Sequence, residues 1–208
     1  RALEQLQDNV EGFDYDAVEQ LFYSEIGVRI SKAFSEFDPQ PFAAASLAQV
    51  HKARLRSGQE VAVKVQRPNI RERILDDLDA FEDIAEFFDK HSTKGRIYRL
   101  ADSLEEFRKS VLRELDFNNE RQNLVSFGKN LREFEKIVFP QPIPDYCSSR
   151  ILTMEYISGK NLSHVSPLGL IETQREALAE QLFKAYLQQI LVDGFFHADP
   201  HPGNILLT

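Results

Sequence analysis

The sequence predicts an α+β fold: a small sheet with helices packed on it, followed by a mainly helical segment. Three observations lead there. Residues 42–66 leave helical spacing for apolar alternation on both sides of a turn at Arg56-Ser57-Gly58-Gln59. Apolar residues near the helical period of about 3.6 recur before that region, after it and towards the C-terminus. Short apolar runs at 137–139, 150–157 and 205–207 are bounded by Pro or Gly.

Bulk properties set the frame. The 208 residues correspond to one large domain or two small ones. With 42% apolar and 28% charged residues, the chain is neither collagenous, low-complexity nor wholly disordered. A net charge of −8 argues against a dedicated nucleic-acid binder, which carries a basic patch or stripe. The single cysteine, Cys147, excludes an internal disulfide and a Cys-cluster zinc site, and fits a reducing compartment. The longest candidate for a membrane-spanning run, Ile190 to Ala198, is too short and contains Asp193. The chain opens Arg1-Ala2-Leu3-Glu4, with neither a Met nor a signal-peptide pattern, and reads as part of a longer protein.

Element by element, residues 1–37 read as helical: Leu3, Leu6 and Val10, then Val18, Leu21, Phe22 and Ile26 recur at helical spacing. Asp14 suits an N-cap, Gly27 an interruption, and Asp38-Pro39-Gln40-Pro41 a stop. An Ala-rich bend leads into a hairpin whose second strand is Val61-Ala62-Val63-Lys64-Val65. From Pro68 to about Lys90, Leu75, Leu78, Phe81, Ile84, Ala85 and Phe88 stripe another helix. After a linker at 91–98, one long helix is expected over 103–128, closed by Gly128. Ile137-Val138-Phe139 reads as a small strand, and Arg150–Ile157 as another that turns out at Ser158-Gly159. A last helix over 171–193 ends at Gly194, before a polar loop and the strand start Ile205-Leu206-Leu207.

The loop after that helix carries the densest chemistry. In His197-Ala198-Asp199-Pro200-His201-Pro202-Gly203-Asn204, two prolines and a glycine hold Asp199 and Asn204 out of helix. A carboxylate can orient or deprotonate an attacking hydroxyl or water, and an amide oxygen is a hard ligand suited to magnesium. The spacing His-x-Asp-x-x-x-x-Asn is that of the kinase catalytic loop. Lys64 sits in an otherwise apolar strand, where an ammonium is costly unless an anion meets it; a phosphate is one such anion. Upstream, Ala43-Ala44-Ala45-Ser46-Leu47-Ala48-Gln49-Val50 overlays the kinase phosphate loop. Ala43, Ala45 and Ala48 fall on its three glycines and Val50 on its valine. Alanine lacks glycine's access to left-handed backbone, so this loop is expected to be stiffer.

Glu114-Leu115-Asp116-Phe117-Asn118-Asn119-Glu120 offers three carboxylates within the long helix, with Asp116 and Glu120 sharing a face. A kinase needs one helical carboxylate to pair with its strand lysine. Met154-Glu155-Tyr156 lies where a hinge would meet the adenine edge. His51, His91 and His164 read as structural or surface residues, and Cys147 carries no assigned role.

Together these segments resemble the UbiB/ADCK family of atypical kinase-like proteins, associated with coenzyme Q and other prenylquinones. The specific pieces are PFAAASLAQVHKA, VAVKVQRP, ELDFNNE, LTMEYISG and HADPHPGN. The resemblance implies a protein-kinase-like two-lobed fold. A helical extension would occupy 1–37. A small antiparallel N-lobe sheet with extra helices would fill 38–157, and a truncated, mainly helical C-lobe 158–208. It further implies that Lys64 and the alanine-rich loop (Ala43, Ala44, Ala45, Ser46, Val50) bind nucleotide, as do the hinge residues Glu155 and Tyr156. Glu120 would partner Lys64, Glu114 and Asp116 would form the family's Glu-x-Asp pair, Asp199 would be catalytic and Asn204 a magnesium ligand.

ATP or ADP with magnesium would be the cofactors. Membrane lipid, prenylquinone precursors and quinone-biosynthesis proteins would be the partners, at the periphery of a bacterial inner, mitochondrial or plastid membrane. Two departures stand out. The family's Lys-x-Gly-Gln motif would lie upstream of Arg1, and the Asp-Phe-Gly metal ligand beyond Thr208. The 208 residues alone are therefore expected to bind nucleotide poorly and turn over little. Two alternatives remain: a nucleotide-switched pseudokinase scaffold, and an aminoglycoside- or choline-kinase-like phosphotransferase. The alanine-rich loop and the Glu114–Asp116 pair speak against the second.

Overall fold

The structure, a computed structural model, describes residues 11–91, 100–162 and 172–208. The expected helical positions Leu3, Leu6 and Val10, most of the linker at 91–98, and His164 lie outside them. Helix α1 (Tyr15–Ile26) follows Asp14 and stops at Gly27, whose φ of 81° is left-handed and whose N–H reaches Tyr23 O. One turn, α2 (Ile30–Ala33), then leads into strand β1 (Phe34–Phe37). Residues 34–37 are thus strand, not the end of the helical segment expected over 1–37. The register of β1 slips between Phe34 and Glu36, and the irregularity lets residues three apart lie together. The rings of Phe34 and Phe37 are 5.5 Å apart.

Strands β2 (Ala43–Ala44), β3 (Ala48–Leu55), β4 (Glu60–Gln66) and β5 (Ile151–Glu155) complete a five-stranded sheet in the order β1-β3-β4-β5, with β2 also beside β3. The β3–β4 hairpin is antiparallel and pairs Val50 with Lys64, Gln49 with Val65, and His51 with Val63. Paired residues share a face and successive residues alternate. One face therefore carries Val61, Val63, Val65, Ala53 and Leu55. These pack with Val18, Leu21 and Phe22 of α1 into the main buried core. The other carries Val50, Lys64 and Gln66.

Gln49 and His51 are polar yet fully buried on the core face. Both are satisfied. Gln49 accepts from Phe13 N–H at 2.8 Å and returns its amide N–H to Phe13 O at 3.2 Å. His51 Nδ1 donates to Asp38 O at 2.8 Å, so Nε2 is the acceptor facing the Gln49 amide at 2.9 Å. The imidazole is held neutral, and burial lowers its pKa below the ordinary histidine value.

Helices α3 (Ile70–His91) and α4 (Leu100–Glu114) are tied by Arg108, which reaches Asp79 at 2.5 Å and Glu82 at 3.2 Å. The single helix expected over 103–128 is two: α4 ends at Glu114 and α5 runs Phe117–Asn130. Residues 137–139 are not a strand; Val138 is exposed and Phe139 stacks on Phe127 at 5.2 Å. Helix α6 (Glu172–Gln188) runs into a π-turn, Gln189–Asp193, closed by left-handed Gly194. Strands β6 (Lys160–Asn161) and β7 (Leu206–Leu207) pair antiparallel.

The chain forms two compact units. The first comprises residues up to Arg121 together with Ile143–Met154; the second comprises Gln122–Pro142 and Glu155–Thr208. Residues 122–142 thus fall with the C-terminal part, and the later change of unit comes at Met154–Glu155. Among the described residues, no helix is long and apolar enough to cross a membrane.

We predict that His51 makes stability pH-dependent. Unfolded, it titrates near 6.5; folded, its pKa is lower, so the unfolded chain takes up the proton first. Its contribution is full above that value and is lost as pH falls through the depressed folded value. Urea midpoints at about pH 7.5 and about pH 5.5 should diverge in the native protein, and His51→Gln should shrink the difference.

Candidate functional site

In the first unit, Lys64 Nζ lies 2.5 Å from Glu120 Oε2 and 4.8 Å from the centre of the Phe117 ring. The Lys64 and Glu120 side chains are 26% and 39% exposed. An ion pair this accessible contributes about 0–1 kcal/mol. Stability alone gives little reason to set an ammonium in the apolar run Val61-Ala62-Val63. The arrangement holds a positive charge in fixed geometry, open enough to meet an anion.

Four residues near Glu120 have structural tasks. Leu115 and Phe117 are buried, and the break between α4 and α5 turns both inward. Asp116 is not helical; its Oδ1 accepts the Asn118 N–H at 3.0 Å and caps α5. The Asn119 side chain donates to Arg113 O at 2.9 Å and caps the end of α4. Glu120 then falls in the first turn of α5, where a carboxylate also faces the positive end of the helix dipole. Glu114, the last residue of α4, is exposed. Of the expected Glu-x-Asp pair, Asp116 caps a helix and Glu114 is exposed.

The alanine-rich loop is a tight hairpin. Ala43 pairs with Val50 and Ala44 with Gln49, and Ala45 N–H donates to Ala48 O at 2.8 Å. Ala43, Val50 and Lys64 stand side by side across three strands. Leu47 O accepts the Arg67 N–H at 2.8 Å, which ties the loop to the end of β4. Ala45 and Ser46 are exposed at its tip. None of its residues has positive φ.

In the second unit, Asn204 Nδ2 donates to both Asp199 Oδ2, at 3.0 Å, and Asp199 O, at 3.2 Å. The loop between them is braced from inside by Gly203 N–H on His201 Nδ1, at 3.0 Å, and from outside by Asn161 Nδ2 on Gly203 O, at 2.6 Å. Upstream, the buried Gln189 accepts His197 N–H at 2.9 Å, and the Tyr186 hydroxyl donates to His197 O. The β6–β7 pair clamps the far end. A side chain at Gly159 would meet Leu207 O at 2.8 Å, so only glycine fits there. Glu155 also lies in this unit: its N–H donates to Gln141 O, and its Oε2 accepts the Gln141 N–H at 3.1 Å. Tyr156 follows, partly exposed.

Magnesium takes hard oxygen ligands, commonly one or two carboxylates completed by phosphate oxygens. The Asp199–Asn204 couple fits that chemistry: the Asn204 amide nitrogen is the atom turned to the carboxylate, and its Oδ1 is a hard oxygen donor. Among the described residues, no group of three or more His, Cys, Asp or Glu forms a self-sufficient metal site. Sequence reasoning missed Gln49, Gln66 and Phe117. All three lie within segments already singled out, but their partners lie far along the chain and no local signal marks them.

Asp116 as a cap yields a prediction. Asp116→Ala should cost about 1 kcal/mol of stability, while Asp116→Asn, also a good cap, should cost a few tenths. Chemical denaturation of the two variants separates the cap from a role that needs the charge; equal losses would remove the cap from the account.

The sequence signature of the ABC1 atypical kinase-like domain matches residues 5–208. An uncharacterised protein of Synechocystis, sll1770, is 40% identical over 99% of this chain. The chloroplastic Activity of BC1 Complex Kinase 7 of Arabidopsis thaliana is 38% identical over 99%, and the probable protein kinase UbiB of Pseudomonas fluorescens 36% over 99%. The chain spans 35%, 29% and 39% of their respective lengths. Among solved structures, Mycobacterium tuberculosis Rv3197, determined in complex with erythromycin, is similar with a TM-score of 0.80 and 27% identity. That match covers 94% of this chain and 48% of the other, and the shared architecture is kinase-like and α+β. The signature covers nearly every residue, and the chain belongs to the ABC1 atypical kinase-like family.

Proposed function

We propose that this chain carries the nucleotide-handling core of an atypical kinase or ATPase that serves isoprenoid-quinone lipid metabolism. The observation that carries the reading is the ion pair of Lys64 with Glu120, 2.5 Å apart, on a strand in register with the alanine-rich loop. Lys64 holds nucleotide phosphates and Glu120 keeps its ammonium in place. Ala43, Ala44, Ala45, Ser46 and Val50 border the phosphates, and Glu155 with Tyr156 meets the adenine edge. Asp199 orients the attacking hydroxyl or water. Asn204 Oδ1 would be a magnesium ligand. Charge on the phosphates is neutralised by that ion when it is bound. Phosphoryl transfer needs little covalent help, so placement and electrostatics supply most of the rate. The quinone context rests on the UbiB relatives, and prenylquinone precursors, membrane lipid and quinone-biosynthesis proteins are the partners it suggests.

The chemical role of Asp199 is tested in the intact protein. Asp199→Asn keeps a side chain of the same shape and its hydrogen bond with Asn204. Nucleotide affinity, measured by calorimetry, should stay within about twofold, while turnover should fall by about 10²-fold or more. Undiminished turnover would remove Asp199 from the chemistry, and biological function kept without turnover would mean a scaffold rather than an enzyme.

The loop has its own test. Ala45→Gly restores backbone freedom at the tip of the hairpin, so the ratio of ATP to ADP affinity should shift by about threefold or more. Calorimetric titrations that return native values for both nucleotides would take the loop out of phosphate recognition.

A further inference from the structure

Gln66 shares the Lys64 face of β4 and has no part in the proposed chemistry. Its side chain is a primary amide, 2% exposed, at the end of a strand. A buried amide is costly unless its polar atoms find partners. Gln66 Nε2 donates to Leu115 O at 2.7 Å. That carbonyl lies just past the end of α4, where the last carbonyls of a helix lack partners within it.

The placement matters because α5 begins two residues after Leu115. Lys64 and Gln66 are two residues apart, so they project from one face at a spacing of roughly 6.5–7 Å. Leu115 and Glu120 flank the first turn of α5. The strand therefore grips the start of α5 at two points: by an ion pair on its first turn and by a hydrogen bond at the break before it. The Phe117 N–H adds a third tie, to Ser149 O at 2.9 Å, and Gln66's own N–H bonds Arg150 O at 3.0 Å. These contacts fix where α5 begins and so where Glu120 reaches.

We propose that Gln66 is a positioning residue: through the Leu115 carbonyl it sets the start of α5 so that Glu120 stays on Lys64. The effect on nucleotide binding rests on the reading of Lys64 as a phosphate ligand; the effect on the pair does not. Glu120 in this chain is then placed by the hydrogen bond from the buried Gln66 amide to Leu115 O as well as by its own charge.

The test uses Gln66→Leu and the closely isosteric Gln66→Met in the intact protein, with two readouts. Acylation of Lys64 by an amine-reactive ester, measured by mass spectrometry, reports the ion pair directly. It should rise about fivefold in both variants, with labelling at the surface residues Lys109 and Lys184 unchanged. Calorimetry with ADP should show about fivefold weaker binding, and the same substitution in a Glu120→Gln background should add no further loss. Native-level Lys64 labelling in either folded variant overturns the inference, as does an equal loss of affinity in both backgrounds. Raised Lys64 labelling in a protein that binds no nucleotide even unmutated upholds the positioning role and overturns the nucleotide reading instead.

Discussion

The hydrogen-bond register between β3 and β4 is the constraint that creates the first unit's site. With Val50 opposite Lys64, the lysine and Gln66 face α5 while Val61, Val63 and Val65 face the α1 core. Side chains alternate strictly along a strand, so a slip of one residue would exchange the two sets. Lys64 would then be driven among Val18, Leu21 and Phe22, and an unpaired ammonium there costs several kcal/mol. The core thus enforces the register that presents the charge. The polar residues the register sends inward, Gln49 and His51, are tolerated because Phe13 and Asp38 supply backbone partners for them. A slip would misplace polar atoms on both faces at once, which makes the register hard to change.

The break between α4 and α5 converts that register into a site. A continuous helix would put Leu115 and Phe117 about 200° apart around its axis, and both could not be buried on one side. Ending α4 at Glu114 and restarting at Phe117 buries both and leaves two sets of unpaired backbone groups. Asp116 satisfies the new helix start and Asn119 the old helix end. Gln66 takes the carbonyl between them. Phe117 then lies under the Lys64 ammonium, where its ring face favours a cation, and Glu120 reaches it from the next turn.

Most of this was legible in outline and little of it in detail. The β3–β4 hairpin was readable because β-branched alternation and a Gly-containing turn are local signals. So were the ends of α1 and α6, where Gly27 and Gly194 adopt left-handed backbone. The break at Leu115–Asp116 was hidden because Leu104, Phe107, Val111 and Leu115 sit at helical spacing up to it, and only tertiary burial of Phe117 decides against a continuous helix. The strand at Phe34–Phe37 was hidden because it is only four residues long and follows helical turns directly. Ile137-Val138-Phe139 had strand composition without a strand to pair with, and Phe139 is used in a ring stack instead. Asp199 and Asn204 were named from the spacing of their loop and Glu120 as the partner of Lys64 from the family resemblance, while the amides that brace them were not named. An amide's role is set by which carbonyl lies across from it, and no spacing along the chain encodes that.

The alanine-rich loop completes the physical picture. A glycine loop at these positions gains its reach from backbone freedom, and loses that freedom on closing over a ligand. Here Ala43 and Ala44 are paired to β3, Ala45 closes the turn onto Ala48, and Leu47 is tied to Arg67. The loop is held by these backbone hydrogen bonds, and its position is set by the same strand that is in register with Lys64. Such a loop loses little entropy on binding, but it adapts little to the length of a phosphate chain. In the proposed nucleotide site, discrimination between di- and triphosphate would therefore come from fixed shape around a fixed charge rather than from closure. That makes the stiffness of three alanines and the bracing of Glu120 parts of one design: both remove motions that ordinary phosphate loops and their partner helices retain.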